Sequence, residues 1–197
     1  LGLPLIGAFQ AENALLAAGI VLASGRAAGE VLPLLDRLPG VPGRMQFAAQ
    51  ARGAGIFVDY AHTPDAVETA LRAIRPHAQG RVIAIIGAGG DRDRAKRPLM
   101  GKAAADNADH VIVTDDNPRS EDPAAIRLEI LKGCPDAQDI GGRAEAIAAG
   151  VGLLQPGDVL LIAGKGHETG QTIGGLTHPF DDLAEARRAA AMIGAGR

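Results

Sequence analysis

The chain has 197 residues, enough for one domain with a substantial core or one domain joined to part of another. Its net charge of -3, with Arg residues scattered singly or in pairs, offers no basic stripe for nucleic acid or an anionic membrane, and no apolar run reaches the ~20 residues that cross a bilayer. One cysteine, Cys134, excludes an internal disulfide and a cysteine-based metal cluster, and 3% aromatic content leaves the core to Ala, Val, Ile and Leu.

The chain begins at Leu1 rather than Met, inside a stretch that reads as structured. A piece of a longer protein is expected, without a signal peptide and with further sites upstream. Ala11 to Ser24 is apolar on nearly every side and closes on Gly25, which predicts a buried helix with glycine at C′. Leu32 to Pro39 reads as a turn or a short helical piece. Pro39-Gly40-Val41-Pro42-Gly43 gathers breakers and predicts a boundary between a segment 1–41 and a domain 42–197.

Beyond that boundary the rhythm is strand, loop, helix. Ile56-Phe57-Val58 predicts a strand, and Thr63-Pro64-Asp65 a helix start: Thr caps, Pro suits the first helical position, and Asp favours the positive end of the dipole. That helix is expected to stop at Pro76. Further strands are predicted near 81–86, 111–113 and 158–163, and helices near 97–107, from Asp122-Pro123 to about Gly133, and over 143–152. Thr172 to Thr177 reads as a hairpin turning on Gly174-Gly175, and Asp181 caps a last helix to about Ile193. Alternating strands and helices with continuously apolar strands imply a doubly wound, Rossmann-like α/β domain with a mainly parallel sheet and flanking helices.

Four strands end in polar loops that carry glycine or turn residues: Asp59 to Asp65, Gly87 to Arg94, Thr114 to Arg119, and Gly164 to Glu168. Ligands of open α/β sheets bind outside the carboxyl ends of the strands, so these loops would gather Arg, Asn, Glu, His and Lys on one rim. Gly87-Ala88-Gly89-Gly90 fails the dinucleotide spacing because position 92 is Arg92. The charged run Asp91 to Arg97 reads either as a solvated, self-paired loop or as part of a site. Asp115-Asp116-Asn117-Pro118 is also a turn sequence, but Arg119 adds a planar fork suited to a carboxylate. Gly164-Lys165-Gly166-His167-Glu168 is no Walker A loop, and its Glu offers an acceptor to an ammonium. His62 has no metal spacing around it, and contact with a base or ribose is the better functional reading. At least two guanidinium groups, an amide and a carboxylate suit a zwitterion with more than one carboxylate and at least one ammonium; the residues alone do not name it.

Val58 to Asp65, Gly89 to Asp93 with Lys96 to Met100, Asp116-Asn117-Pro118-Arg119 and Gly164 to Glu168 resemble the C-terminal part of the Mur ligase family. Val41 to Met45 is similar to the junction into the family's C-terminal domain, and Gly7 to Asn13 to the tail of its central ATPase domain. The resemblance implies an ATP- and Mg²⁺-dependent, cytoplasmic amide ligase of peptidoglycan precursor synthesis. It adds meso-2,6-diaminopimelate to UDP-MurNAc-L-Ala-D-Glu, with neither nucleic acid nor membrane as partner. It implies that Arg92 holds the carboxylate beside the reacting amine, while Asp116, Asn117, Pro118, Arg119, Gly164 and Glu168 line the pocket for the rest of the amino acid. Asp59, Tyr60 and His62 would meet ATP, whereas the phosphate-binding loop, the Mg²⁺ ligands and the UDP-sugar site lie outside this chain, which is expected to be inactive alone. The chain departs from the family at Arg94-Ala95, where lysine and glycine are frequent. Two rivals stand beside this reading: an amide ligase that extends folate with glutamate, and a non-enzymatic module that binds an amino acid.

Overall fold

The computed structural model describes residues 3–195, which divide into two compact units that part between Val41 and Pro42. In the smaller unit, α1 (Ala8–Ala23) begins three residues before the expected start and is capped by Ser24, with Gly25 at φ +97°. A short α2 (Ala28–Val31) runs into a 3₁₀ segment, Leu32–Arg37. Its small core is Ala14, Ala18, Val31 and Leu35, with Leu22, Leu32 and Leu38 packed against them. The expectation of a buried α1 is corrected here. Leu15, Leu16, Ile20 and Val21 are exposed, because α1 meets the core of its own unit through a narrow stripe, Ala14 and Ala18 with Leu22 beside them.

The larger unit is a six-stranded sheet in the order β1-β2-β6-β3-β4-β5. The strands are β1 (Gln46–Ala51), β2 (Ala54–Asp59), β3 (Val82–Ile86), β4 (His110–Val113), β5 (Gln138–Asp139) and β6 (Val159–Ala163). All neighbours are parallel except β1 with β2. That pair is a tight hairpin turning on Arg52 (φ +50°) and Gly53 (φ +77°), the signs a type I′ turn requires. Neither β1 nor β5 was expected. In β1 the register slips between Phe47 and Ala49, which destroys the two-residue period, and its inward residues Ala48 and Ala51 are too small to announce a strand. β5 is two exposed residues on the far edge.

Every residue of β3 and β6 is buried, the mark of parallel strands covered on both faces. On one face Ile56, Val58, Ile83, Ile85, Ile112, Leu160 and Ile162 pack with α6 (Arg143–Leu153) and α7 (Asp182–Ala195). Side chains alternate across a strand, so Ala84, Ile86, Val113 and Leu161 turn to the other face. There α3 (Pro64–Ile74), α4 (Lys96–Asn107) and α5 (Pro123–Leu131) lie side by side. The caps form as the residues dictate: Thr63 Oγ1 accepts from Ala66 N at 3.3 Å, Asp122 from Ala124 N at 3.0 Å, and Asp181 from Leu183 N at 2.8 Å. A separate hairpin, β7 (Gly170–Ile173) and β8 (Leu176–Pro179), turns on Gly174 and Gly175, both at positive φ. No described helix is long and apolar enough to cross a membrane.

Candidate functional site

The carboxyl ends of β2, β6, β3 and β4 are neighbours, so their loops converge. A cleft of about 180 Å³ opens between them, lined by Tyr60, His62, Gly87, Gly89, Arg92, Lys96, Asp116, Asn117, Arg119, Gly164 and Glu168. Of the ten residues expected to form a site, eight line this cleft. Arg119 and Glu168 lie on the same wall system, close enough for Arg119 to favour the Glu168 charge.

The loop after β3 is held close to the loop after β4. Gly90 N donates to Asn117 O at 2.9 Å, and a Cβ on Gly90 would stand 1.8 Å from Pro118 O, so only glycine fits. From beneath, Arg97 fixes the same loop. Wholly buried, it donates to both oxygens of Glu121 at 2.8 and 3.0 Å, to Glu129 at 2.8 Å and to Gly89 O at 3.2 Å. The charged run therefore divides. Arg94 and Arg97 are paired in the scaffold, whereas Arg92, exposed at the rim, bonds among the described residues only the carbonyl of its neighbour Asp91, at 2.9 Å.

Arg119 stands at φ +54°, a conformation uncommon for an L side chain. The β7–β8 hairpin imposes it: Arg119 N donates to Thr172 O at 2.9 Å, and Gly174 N donates to Arg119 O at 2.7 Å. One guanidinium nitrogen, Nη1, donates to Gly90 O at 2.7 Å, which aims the rest of the fork. Pro118 contributes backbone; its carbonyl also accepts from Glu121 N at 3.1 Å. Asp116 is nearly buried. Its carboxylate accepts from Asn117 N at 2.7 Å, its carbonyl accepts from Gln171 Nε2 at 2.7 Å, and Gly164 passes close to its other oxygen.

The loop after β6 turns on Gly164 (φ +121°) and Gly166 (φ +57°); a Cβ on Gly166 would meet the Tyr60 side chain at 2.7 Å. It delivers Glu168, which accepts from Asn117 Nδ2 at 2.9 Å and Lys165 Nζ at 3.1 Å. Partial burial pushes the Glu168 carboxyl up, but those two bonds and the nearby charges of Lys165 and Arg119 together hold the group below the usual carboxylate range. An ionised acceptor at this place suits an ammonium.

Asp59 is not among the lining residues. Its carboxylate accepts from Met45 N at 2.7 Å and Ala61 N at 2.8 Å, bracing the turn that presents Tyr60. Burial raises its pKa, against the lowering effect of those two bonds. Tyr60 sits among cationic and aromatic neighbours: His62 at 4.6 Å and His167 at 5.3 Å between ring centroids, and the Arg44 guanidinium 4.9 Å from its own. This shelf is suited to a flat, electron-rich group. Sequence reasoning missed five contributors. Lys96 lines the cleft. Lys165, Thr172 and Gln171 hold the lining residues. A fifth, Arg143, is buried beneath; it grips Asp182 by two bonds of 2.7 Å and reaches Ala163 O at 3.1 Å. The hairpin glycines were a usable signal for Thr172 and Gln171, since a turn so placed must pack on something. A lone Arg opening a helix carried none. Among the described residues no cluster of three metal-ligating side chains occurs.

Three comparisons bear on this arrangement. A family model described as "Mur ligase, glutamate ligase domain" matches residues 43–166. The chain is 56% identical over 190 residues to a UDP-N-acetylmuramoyl-L-alanyl-D-glutamate--2,6-diaminopimelate ligase of Caulobacter vibrioides, covering 96% of the chain and 39% of that protein. It is 55% identical over 180 residues to the same-named ligase of Bradyrhizobium diazoefficiens, covering 91% and 37%. A solved structure of a ligase with that name superposes with a TM-score of 0.76 at 41% identity, over all of this chain and 40% of the other. The chain thus spans about two-fifths of the length of these relatives.

Proposed function

The chain belongs to the Mur ligase family, and from that premise we propose that it is the amino-acid-binding portion of an ATP-dependent ligase that joins meso-2,6-diaminopimelate to UDP-MurNAc-L-Ala-D-Glu. The observation that carries the reading is the convergence of Arg92, Asn117, Arg119 and an ionised Glu168 on one cleft. Diaminopimelate carries an ammonium and a carboxylate at each end. At the distal end, Glu168 accepts from the ammonium while the open part of the Arg119 fork and the Asn117 amide donate to the carboxylate. At the reacting end, Arg92 holds the second carboxylate. Asp116 and Gly164 shape the wall between them, and Pro118, which does not line the cleft, backs it through its carbonyl against Gly90.

ATP, with Mg²⁺, supplies the phosphoryl group that turns the glutamyl carboxylate into an acyl phosphate. The free amine then attacks the carbonyl carbon, and phosphate leaves as the amide forms. The residues of this chain hold that amine in place and restrict the amino acid's rotation, which lowers the entropic part of the barrier. Tyr60 and His62, with Arg44 and His167, form the shelf for the nucleoside end of ATP, and Asp59 acts only by bracing Tyr60. The phosphate loop, the Mg²⁺ ligands and the UDP-sugar site belong to the remaining three-fifths of the enzyme. Residues 1–41 are the tail of its central domain, whose body would cover Leu15, Leu16 and Ile20. The reading places the enzyme in the cytoplasm.

The test is Arg119→Ala in the full-length enzyme, scored with diaminopimelate, lysine and glutamate. Lysine lacks the distal carboxylate, and a site built for polar pairing rejects such an analogue by up to ~10⁴-fold. Arg119→Ala is expected to remove most of the preference for diaminopimelate over lysine by lowering kcat/KM for diaminopimelate alone. An unchanged preference overturns the assignment of Arg119. Glutamate as the best substrate of the unaltered enzyme overturns the substrate.

A further inference from the structure

Lys165 lies between the two glycines of the loop after β6, and its side chain is 0% exposed. Lysine is almost never fully buried, and a buried ammonium is costly unless its charge is paired and its N–H groups are bonded. It does not line the cleft, so it does not meet a ligand there. It does meet two residues that would. Its Nζ donates to Asn117 Oδ1 at 3.1 Å and to Glu168 Oε2 at 3.1 Å.

Those two bonds remove the freedom of both partners. Asn117 Oδ1 accepts from Lys165 Nζ and also from Thr172 N at 3.0 Å, so reversing the amide would set its NH₂ against two donors. Held that way, Nδ2 donates to Glu168 Oε2 at 2.9 Å. Oε2 therefore has two donors, while Oε1 has no hydrogen-bond partner among the described residues. One carboxylate oxygen is tied and the other is open.

We propose that Lys165 is a positioning residue for the amino-acid substrate: it locks the Asn117 amide and the Glu168 carboxylate in the single arrangement that presents Glu168 Oε1 to the substrate's ammonium. The inference rests on the reading of the cleft as an amino-acid site. Without Lys165 the amide keeps one of its two Oδ1 donors, Thr172 N, and Glu168 Oε2 keeps one of its two, Asn117 Nδ2, so both groups are held less firmly and part of the site's order must be restored each time the amino acid binds. The loss then falls on amino-acid binding and spares the nucleotide shelf around Tyr60.

The experiment is Lys165→Met in the full-length enzyme, with KM measured separately for the amino acid, ATP and the UDP-linked substrate. A charge-assisted bond of this kind corresponds to about a 10- to 100-fold rise in the amino-acid KM; the other two constants are expected to stay. In a background already carrying Asn117→Ala and Glu168→Gln, adding Lys165→Met is expected to change that KM by less than about threefold, since neighbours acting as one unit are not additive. A full effect in that background, or a parallel rise of all three constants, makes Lys165 a packing residue and overturns the proposal. Should Lys165→Met not fold, Lys165→Gln is read in the same way, and failure of both to fold also overturns it. The cycle is run with whichever amino acid the unaltered enzyme couples fastest. A substrate other than diaminopimelate would therefore sink the substrate reading and leave the positioning role of Lys165 to stand or fall on its own result.

Discussion

The two ends of the sheet carry similar residues and treat them in opposite ways. At the amino ends of the strands, Asp158 accepts from Arg81 Nη2 at 2.6 Å, from Arg81 N at 2.7 Å and from Gln155 N at 3.0 Å. Asp109 accepts from Arg75 Nη2 and from Val82 N, both at 2.7 Å. These charges are closed on themselves. At the carboxyl ends, Arg92, most of the Arg119 fork and one oxygen of Glu168 are left open. Hollows of about 230 and 320 Å³ lie at the amino end, larger than the 180 Å³ cleft. Unspent hydrogen-bonding capacity, and not size, is what distinguishes the end proposed to bind the ligand.

If the closed charges are scaffold, removing them should cost stability and not recognition. The largest effect belongs to Arg143, whose pair with Asp182 is fully buried on both sides. Arg143→Met leaves a buried carboxylate without its cation, which should lower the unfolding free energy by about 3–5 kcal/mol, read from the urea midpoint of the larger unit. A loss below about 1 kcal/mol would mean that water reaches Asp182 and that the pair is not a structural anchor.

A smaller and more discriminating contrast sets Asp158 against Arg92. Asp158→Asn weakens several bonds of a nearly buried carboxylate and should cost about 2 kcal/mol of stability while the amino-acid KM stays constant. Arg92→Ala should leave the urea midpoint where it is and raise that KM about tenfold or more through the loss of a charge-assisted bond. If the two variants move both quantities together, the division between closed and open ends fails.

The strand ends, the capped helices and the polar loops were legible because each has a local cause: Thr63, Asp122 and Asp181 cap by reaching two or three residues along the chain. The exposed α1 face was not, since a helix apolar all round reads as buried whatever its unit lacks. The lining of the cleft was legible as motifs. Its support was not, because the bonds that set it run between residues far apart in the chain: Lys165 to Asn117 over 48 positions and Thr172 to Asn117 over 55. Charge in the run Asp91 to Arg97 could be counted from the sequence, but not divided between rim and scaffold. That division depends on whether Glu121 and Glu129 of another segment arrive beneath it.

The same division predicts a pH dependence, smaller than the effects above. Glu121 takes two bonds from Arg97 and one from Asp91 N, and these hold its carboxyl at about 2, against an ordinary 4.5. A folded-state pKa below the unfolded one contributes stability that is complete above the unfolded value and is lost as the pH falls through the folded one. The contribution of Glu121 should therefore be flat above about pH 5 and fade between 4.5 and about 2. Glu121→Gln cannot ionise. Its urea midpoint should lie below that of the unaltered protein at pH 7, with the gap narrowing through this acid window. Other carboxylates titrate there too; those that share no partner with Glu121 are common to both proteins and drop out of the difference, whereas Glu129 shares Arg97, so the comparison is repeated with Glu129→Gln in both proteins. A gap that stays constant down to pH 3 would show that Arg97 holds the glycine loop by shape and neutral hydrogen bonding, with no part played by the charge of Glu121.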